Sequence, residues 1–289
     1  MPGMNRSTTG VVLPTEVSSE IWEKTVEESA VMQLSRRIEL PGAGMEFPMI
    51  TGEPEANWVN ETDKKPVSNH KTGSKKMKGY TMAVIVPFSN QFKRDAARLY
   101  DEMVASAPKS LGTKLDKTVF GGDTKPGELF DTMADVASVD IESDTWKGLV
   151  TADAMVSAGD GILNGWAIAP QAKTMLLTAT DAQKRPLFIN SMTSDNSVPA
   201  LMGQPTHVKK GVYLDGSPKQ LGFAGDWSSA LYGVVEDIKT SISEQATITI
   251  DGEPVNLWEQ NMFAVRFEFE VGFRMKYPEH FVKLVGKIA

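Results

Sequence analysis

The chain has 289 residues, 41% hydrophobic and 23% charged, with no cysteine. That length and apolar content suit one large folded domain or two ordinary ones, and the missing cysteines exclude disulfides and thiolate zinc sites. A formal net charge of −7 argues against a general nucleic-acid binder, whose footprint would be basic.

The N-terminal MPGMNRSTTG lacks the apolar core of a secretion signal, and no later apolar run nears the roughly 20 residues needed to span a bilayer. Pro14 to Leu34 predicts a helix, with Pro14 in its first turn and apolar residues at Val17, Ile21, Val26 and Ala30. Arg36 to Ile50 alternates and turns like strands, punctuated by Pro41-Gly42. Between EFPMI and TMAVIVPF, both strand-like, lies TDKKPVSNHKTGSKKMKGY, Thr62 to Tyr80, with six lysines against one aspartate. So polar a segment cannot bury enough apolar surface to offset its own ordering. It is expected to be the tip of a long hairpin that projects from a domain and lies against something else.

Ser89 and Asn90 offer caps for a long helix with an apolar face at Phe92, Ala96, Leu99, Met103, Ala107, Leu111, Leu115 and Val119. Pro108 predicts a kink or break in it, and Gly121-Gly122 ends it. From Asp123 to Asp160 nine acidic residues face two lysines, a composition shift that marks a second domain. Within it, Thr145 to Ala158 and Ala172 to Ala179 read as helices, and Trp166 to Ala169 as a short apolar run stopped by Pro170. Thr247 to Asn256 alternates around Asp-Gly, the strongest short hairpin signal. In the strand that follows, Phe263, Val265, Phe267, Phe269, Val271 and Phe273 take one face, and Ala264, Arg266, Glu268 and Glu270 the other. That apolar face predicts packing on the long helix, so that the first domain is discontinuous and closed by the C-terminus.

A small-molecule active site is hard to find. His70, His207 and His280 lie far apart without metal-ligand spacing and read as surface or packing histidines. GDGILNG, Gly159 to Gly165, is neither GxGxxG nor a P-loop and reads as a glycine turn; no GxSxG is present. Asp140, Glu142 and Asp144 could share a strand face and hold calcium or magnesium, against the plainer reading of solvated carboxylates. No cofactor is called for.

Several stretches, in order, resemble the major capsid proteins of tailed bacteriophages, which share the Hong Kong 97 fold. They are VVLPTEVSSEIWEKTVEESAVMQL; EANWVNE with the lysine-rich tip and TMAVIVPFSNQF; the helix ending LDKTVFGG; LMGQPTHV; LGFAGDWSSALYGVVEDI; and NLWEQNMFAVRFEFEVGFRMKYPEHFVKL. The resemblance implies an α+β fold with an N-terminal arm (1–37), an extended β-hairpin loop (38–83), a peripheral domain with a long spine helix (84–123 and 244–289) and an axial domain (124–243). It implies pentamers and hexamers of an icosahedral shell around double-stranded DNA in the virion, assembled in the host cytoplasm without a membrane. The hairpin would lie across neighbouring copies, with Trp22, Trp58, Lys71 and Lys76 as contact candidates and Gly42, Gly44, Gly52 and Gly79 as flexible joints. A scaffolding protein, a portal and a decoration protein are the implied partners. The arm starts within a dozen residues of Met1, so the chain is either a mature form or one whose scaffold is separate. A negative inner wall would let packaged DNA slide.

The same fold builds encapsulin compartments, the alternative shell. Some family members also weld subunits by Lys-Asn isopeptide bonds. The resemblance would make Asn261 the acceptor, Glu268 the base, and Lys64, Lys65, Lys71, Lys75, Lys76 or Lys78 the nucleophile, with nearby phenylalanines raising the Glu268 pKa. In an unbroken strand a separation of seven puts Asn261 and Glu268 on opposite faces, so this reading needs a turn or bulge between them.

Overall fold

A computed structural model describes residues 15–52, 54, 56–60, 64–65, 67, 71–95, 97–179, 200–250 and 252–287. The predicted N-terminal helix is two helices, α1 (Thr15–Glu28) and α2 (Ala30–Leu34). The break falls at Ser29, whose side chain accepts from Met32 N and caps α2. Val17 and Ile21 of the predicted stripe lie outside the described side chains.

β1 (Arg36–Glu39) follows, then β2 (Met45–Gly52) and β3 (Lys71–Met77), which pair antiparallel from Met45↔Met77 outward. Here the structure differs from the sequence reading. The returning strand of the hairpin is the lysine-rich KTGSKKM itself, while TMAVIVPF belongs to β4 (Tyr80–Ser89) in another sheet. Backbone pairing does not require apolar side chains, which is why composition hid β3.

α3 (Asn90–Asp95) and α4 (Ala97–Val119) form the long helical segment, and α4 runs through Pro108 without interruption. Leu111, Leu115 and Val119 are buried as expected, Phe92 stacks on Phe88, and Ala96, Leu99, Met103 and Ala107 lie outside the described side chains. β5 (Ala137–Asp140), α5 (Thr145–Ala158), β6 (Gly165–Ile168) and α6 (Pro170–Thr178) follow the predicted alternation. After residue 200 come β7 (Thr206–Val208), β8 (Gln220–Gly225), β9 (Ala230–Ser243), the predicted hairpin β10 (Thr247–Ile250) and β11 (Glu253–Asn256), then β12 (Met262–Met275) and β13 (Phe281–Val285).

Two larger sheets organise these strands, one in the order β1-β9-β12-β4 and one in the order β5-β13-β8-β6-β7. Membership departs from the division expected at residues 124 and 244. β9 lies in the first sheet beside β12, and β13 lies in the second between β5 and β8. The inner row of β12, Phe263 to Phe273, is buried against α4, as its alternation predicted. That core continues into the second sheet through Phe120, whose ring stacks on Phe223 at 4.8 Å. A second core, with Leu149, Val156, Trp166 and Leu284, fills the other face of that sheet beneath α5 and α6.

Two buried polar groups tie the helices in place. Asp116 on α4 is fully buried; it accepts from Ser29 Oγ at 2.6 Å, Ala30 N at 2.8 Å and Val31 N at 3.2 Å. Gln220 Nε2 donates to Phe120 O at 3.0 Å and Val212 O at 2.9 Å. Gln220→Leu strands both carbonyls and is expected to cost about 1–3 kcal/mol, read from the midpoint of urea unfolding.

Candidate functional site

The outer face of the first sheet can be read from its register. Arg266 stands opposite Ile85 and Ser241, Glu268 opposite Ala83 and Lys239, and Glu270 opposite Thr81 and Glu236. These side chains point away from the phenylalanine core. Further along the same row come Gly272, paired with Gly233, and then Arg274, paired with Leu231.

The root of the hairpin lies on this second half of the row. Met77 is fully buried in a small third core with Leu40 and Leu231, flanked by Met45, Phe47 and Val235. The two facing glycines make that seat. A Cβ on Gly272 would stand 2.5 Å from Lys78 O, and one on Gly233 would stand 2.7 Å from Met77 Sδ. Gly79, expected as a flexible joint, is likewise hemmed in by Val235 and Glu270. Polar bonds complete the root: Lys75 Nζ donates to Met275 O and Lys276 O, and Arg274 Nε donates to Lys76 O.

Away from the root the hairpin is exposed. Trp58 is fully exposed, and Lys64, Lys65, Lys71, Lys76 and Lys78 point to solvent, whereas Lys75 is partly buried. Trp22, the other tryptophan singled out from sequence, packs within its own chain. Its ring meets Phe269 edge-on at 5.6 Å, with the Arg37 guanidinium 4.6 Å above it.

One chain does not bring the cross-linking candidates together. Asn261 sits in a left-handed turn (φ 54°) just before β12, its Oδ1 accepting from Asn90 Nδ2. The β12–β4 register from Met262 to Val271 has no bulge, so Glu268 lies roughly 20 Å further along the strand. Glu268 pairs with Arg266 at 3.3 Å on the open face, and the phenylalanines expected to enclose it face the opposite way.

The remaining candidates are structural. Asp140 Oδ1 accepts from Glu142 N and Ser143 N, Asp144 caps α5 through Lys147 N, and Glu142 accepts from Lys287 N. The three carboxylates thus serve separate backbone groups, and no metal-holding cluster occurs among the described residues. His70 lies outside the described residues. Burial, then the Lys209 charge, lowers the pKa of His207 on β7. His280 Nδ1 lies 2.8 Å from Ser229 Oγ and 3.8 Å from an Asp226 carboxylate oxygen. The residue types are those of a nucleophilic triad, but serine and aspartate approach the same ring nitrogen, so no proton relay runs between them. Sequence reasoning missed two features: the glycine seat, and an apolar groove of about 490 Å³ between edge strand β4 and α4, lined by Met82, Val84, Leu111, Leu115 and Phe130. Gly272 interrupting the charged row of β12 was the available signal for the seat.

Comparison with known proteins places this geometry. The model of the phage capsid family matches residues 9–286. The probable major capsid protein gp17 of Mycobacterium phage L5 is 26% identical over an alignment of 298 positions, covering 95% of this chain and 89% of that protein. The major capsid protein of Staphylococcus phage 80alpha is 23% identical, covering 94% and 84%. Among solved structures, a chain of Microbacterium phage Oxtober96 superposes with a TM-score of 0.75 at 23% identity, covering 90% of this chain and 91% of that one. A capsid chain of an empty GTA particle superposes with a TM-score of 0.67 at 12% identity, covering 100% and 95%.

Proposed function

Because the chain belongs to the phage capsid family and is a structural subunit of the head shell, we propose that it closes, as pentamers and hexamers, an icosahedral shell around double-stranded DNA. The observation that carries this reading is the hairpin: an exposed, lysine-rich arm with a bare Trp58, mounted on a firmly packed root. An arm of that kind finds its missing contacts on another copy. Trp258 and Ile162, also largely exposed, are further surface for neighbours to cover. The curated relatives named above are phage capsid proteins, which favours a genome container over an encapsulin compartment.

In this reading the axial unit is the five-stranded sheet with α5 and α6, and the peripheral unit is the four-stranded sheet with α1 to α4. A scaffolding protein, a portal and a decoration protein complete the head, and the shell encloses DNA without sequence preference. The test is light scattering of the purified protein with negative-stain images of the same sample. Closed shells or rings of five and six are expected; a monomer that never associates, even with scaffolding protein added, overturns the proposal.

A covalent weld is the second reading, supported by the five exposed hairpin lysines. A neutral lysine amine of one copy would attack the Asn261 amide carbon of another, forming an isopeptide bond and releasing ammonia. Glu268 would have to come from a copy other than the one supplying Asn261, given their separation along β12. Because one chain holds Asn261 and Glu268 far apart along β12, particles boiled in denaturant are expected to run as a monomer band. A ladder of covalent multimers would establish the weld.

A further inference from the structure

We propose that Lys75 and Arg274 are positioning residues of assembly: they set the angle at which the hairpin leaves the subunit and thereby which shell the subunits close. This inference rests on the reading of the chain as a shell subunit.

Two sets of contacts hold the root, and they do different things. Met77, seated over Gly233 and Gly272, fixes how close the hairpin comes to the sheet. That apolar cluster, which Met45 and Phe47 of β2 share, contains no directional bond to fix the tilt. The second set lies one and two residues further out on β3, where Lys75 Nζ donates to Met275 O at 2.7 Å and Lys276 O at 3.1 Å, and Arg274 Nε donates to Lys76 O at 2.8 Å. Two points on one strand determine its direction.

The second point is itself braced. Arg274 Nη1 donates to Asp131 Oδ1 at 2.5 Å, Asp131 Oδ2 accepts from Met275 N at 3.1 Å, and Asp131 N donates to Phe273 O at 3.0 Å. The Arg274 and Asp131 side chains are 12% and 21% exposed, so water competes little for them. A lysine of the hairpin, an arginine of β12 and an aspartate of the loop after α4 therefore form one connected brace. Both cations donate to main-chain carbonyls, so the brace fixes backbone directions and not only side-chain positions.

Leverage gives the brace its consequence. From Met77 to Lys71, β3 has seven residues, or roughly 20 Å, so a tilt of about 10° at the root moves the far end by about 3–4 Å. Close-packed contacts between copies do not tolerate a shift of that size. The angle at the root thus decides where on the neighbour the hairpin lands. Lys75 differs in this from the five solvent-facing lysines: it serves its own subunit.

The test uses the absence of cysteine from the chain. Thr72→Cys on the hairpin and Ser138→Cys on β5 take spin labels, and the distance distribution is measured in unassembled subunits by pulsed electron resonance. The parent is expected to give one narrow peak, and Lys75→Gln with Arg274→Gln a distribution at least twofold broader, with far-UV dichroism unchanged. Lys75→Arg in the otherwise parent chain, which can still donate to both carbonyls, is expected to keep the narrow peak. In assembly reactions imaged by electron microscopy, the parent is expected to give shells of one size, and the double variant mixed sizes or open sheets. An unchanged distribution overturns the brace; a broadened one with unchanged shells overturns its role in choosing the shell. Should Arg274→Gln fail to fold, Lys75→Gln alone, which leaves the Arg274–Asp131 pair intact, carries the same measurements. If the parent never assembles, the shell reading fails while the distance measurement still decides the brace.

Discussion

Asp116→Ala is expected to lower stability by about 3 kcal/mol or more, because it leaves Ser29 Oγ and the backbone N–H groups of Ala30 and Val31 buried without their shared acceptor. The loss should concentrate in the N-terminal arm, seen as faster amide exchange in α1 and α2 than in β12. Asp116→Asn keeps one oxygen acceptor but turns its amide NH2 toward either Val31 N or Ala30 N, so it should cost less than Asp116→Ala while still leaving one backbone donor unpaired. The pair of variants also reports on charge. Burial pushes the Asp116 carboxyl from its ordinary 3.8 up to about 7, against the pull of the three donors and of Lys209. Between those values the folded state holds a proton that the unfolded chain has released, so this group makes stability fall as pH rises from about 4 to about 7 and leaves it level above. Urea unfolding at pH 5 and pH 8 should therefore show a loss in the parent, and Asp116→Asn should remove this group's share of it. A parent and an Asn variant with identical pH profiles would mean that the carboxylate is ionised throughout.

Gly272→Val is expected to be as damaging to the assembled state as any single change in the described core. Its Cβ would meet a backbone oxygen, Lys78 O, at 2.5 Å and Met77 Cγ at 2.9 Å, and a main-chain atom cannot swing aside as a side-chain tip does. Either β12 bows outward or the hairpin root lifts off, uncovering Met77, Leu40 and Leu231; overpacking of this kind costs about 1–3 kcal/mol. Thermal unfolding should show a modest loss and assembly a complete one, because the hairpin is displaced in every copy. Normal shells from Gly272→Val would show that the seat is not needed.

Much of this architecture is legible in the sequence wherever one face of an element is apolar and the other polar. β12, α5 and the β10–β11 hairpin are of that kind, and each forms where its pattern says. β8 (QLGFAG) was unreadable for the opposite reason: it is buried along its whole length, so nothing alternates, and its small residues admit close neighbours on both faces. β3 was unreadable because its lysines reflect what lies outside the strand, while the strand itself is held by main-chain pairing. Pro108 does not break the helix because proline disfavours a helix interior without forbidding it, and a 23-residue helix packed along its later turns tolerates the lost bond. Asn261 and Glu268 could be named from their neighbourhood in sequence, but their separation along β12 emerges only from the register. The glycine seat and the Lys75–Arg274 brace join residues about 200 positions apart, beyond any local pattern.

The placement of β12 and β13 bears on how the protein is made. Each lies inside a sheet: β12 between β9 and β4, β13 between β8 and β5. Until translation has delivered both strands, the nascent chain holds two half-built sheets whose inward edges have no partners, and the phenylalanine row that closes the larger core does not yet exist. The outer face on which the hairpin root sits is missing at the same stage. A ribosome that stalls before the end of β12 therefore releases a chain that cannot present a set hairpin, and one that stalls between β12 and β13 leaves the second sheet open; both are exposed to proteolysis. Closure of both sheets thus waits on β12 and β13, and the hairpin is set only once β12 is in place.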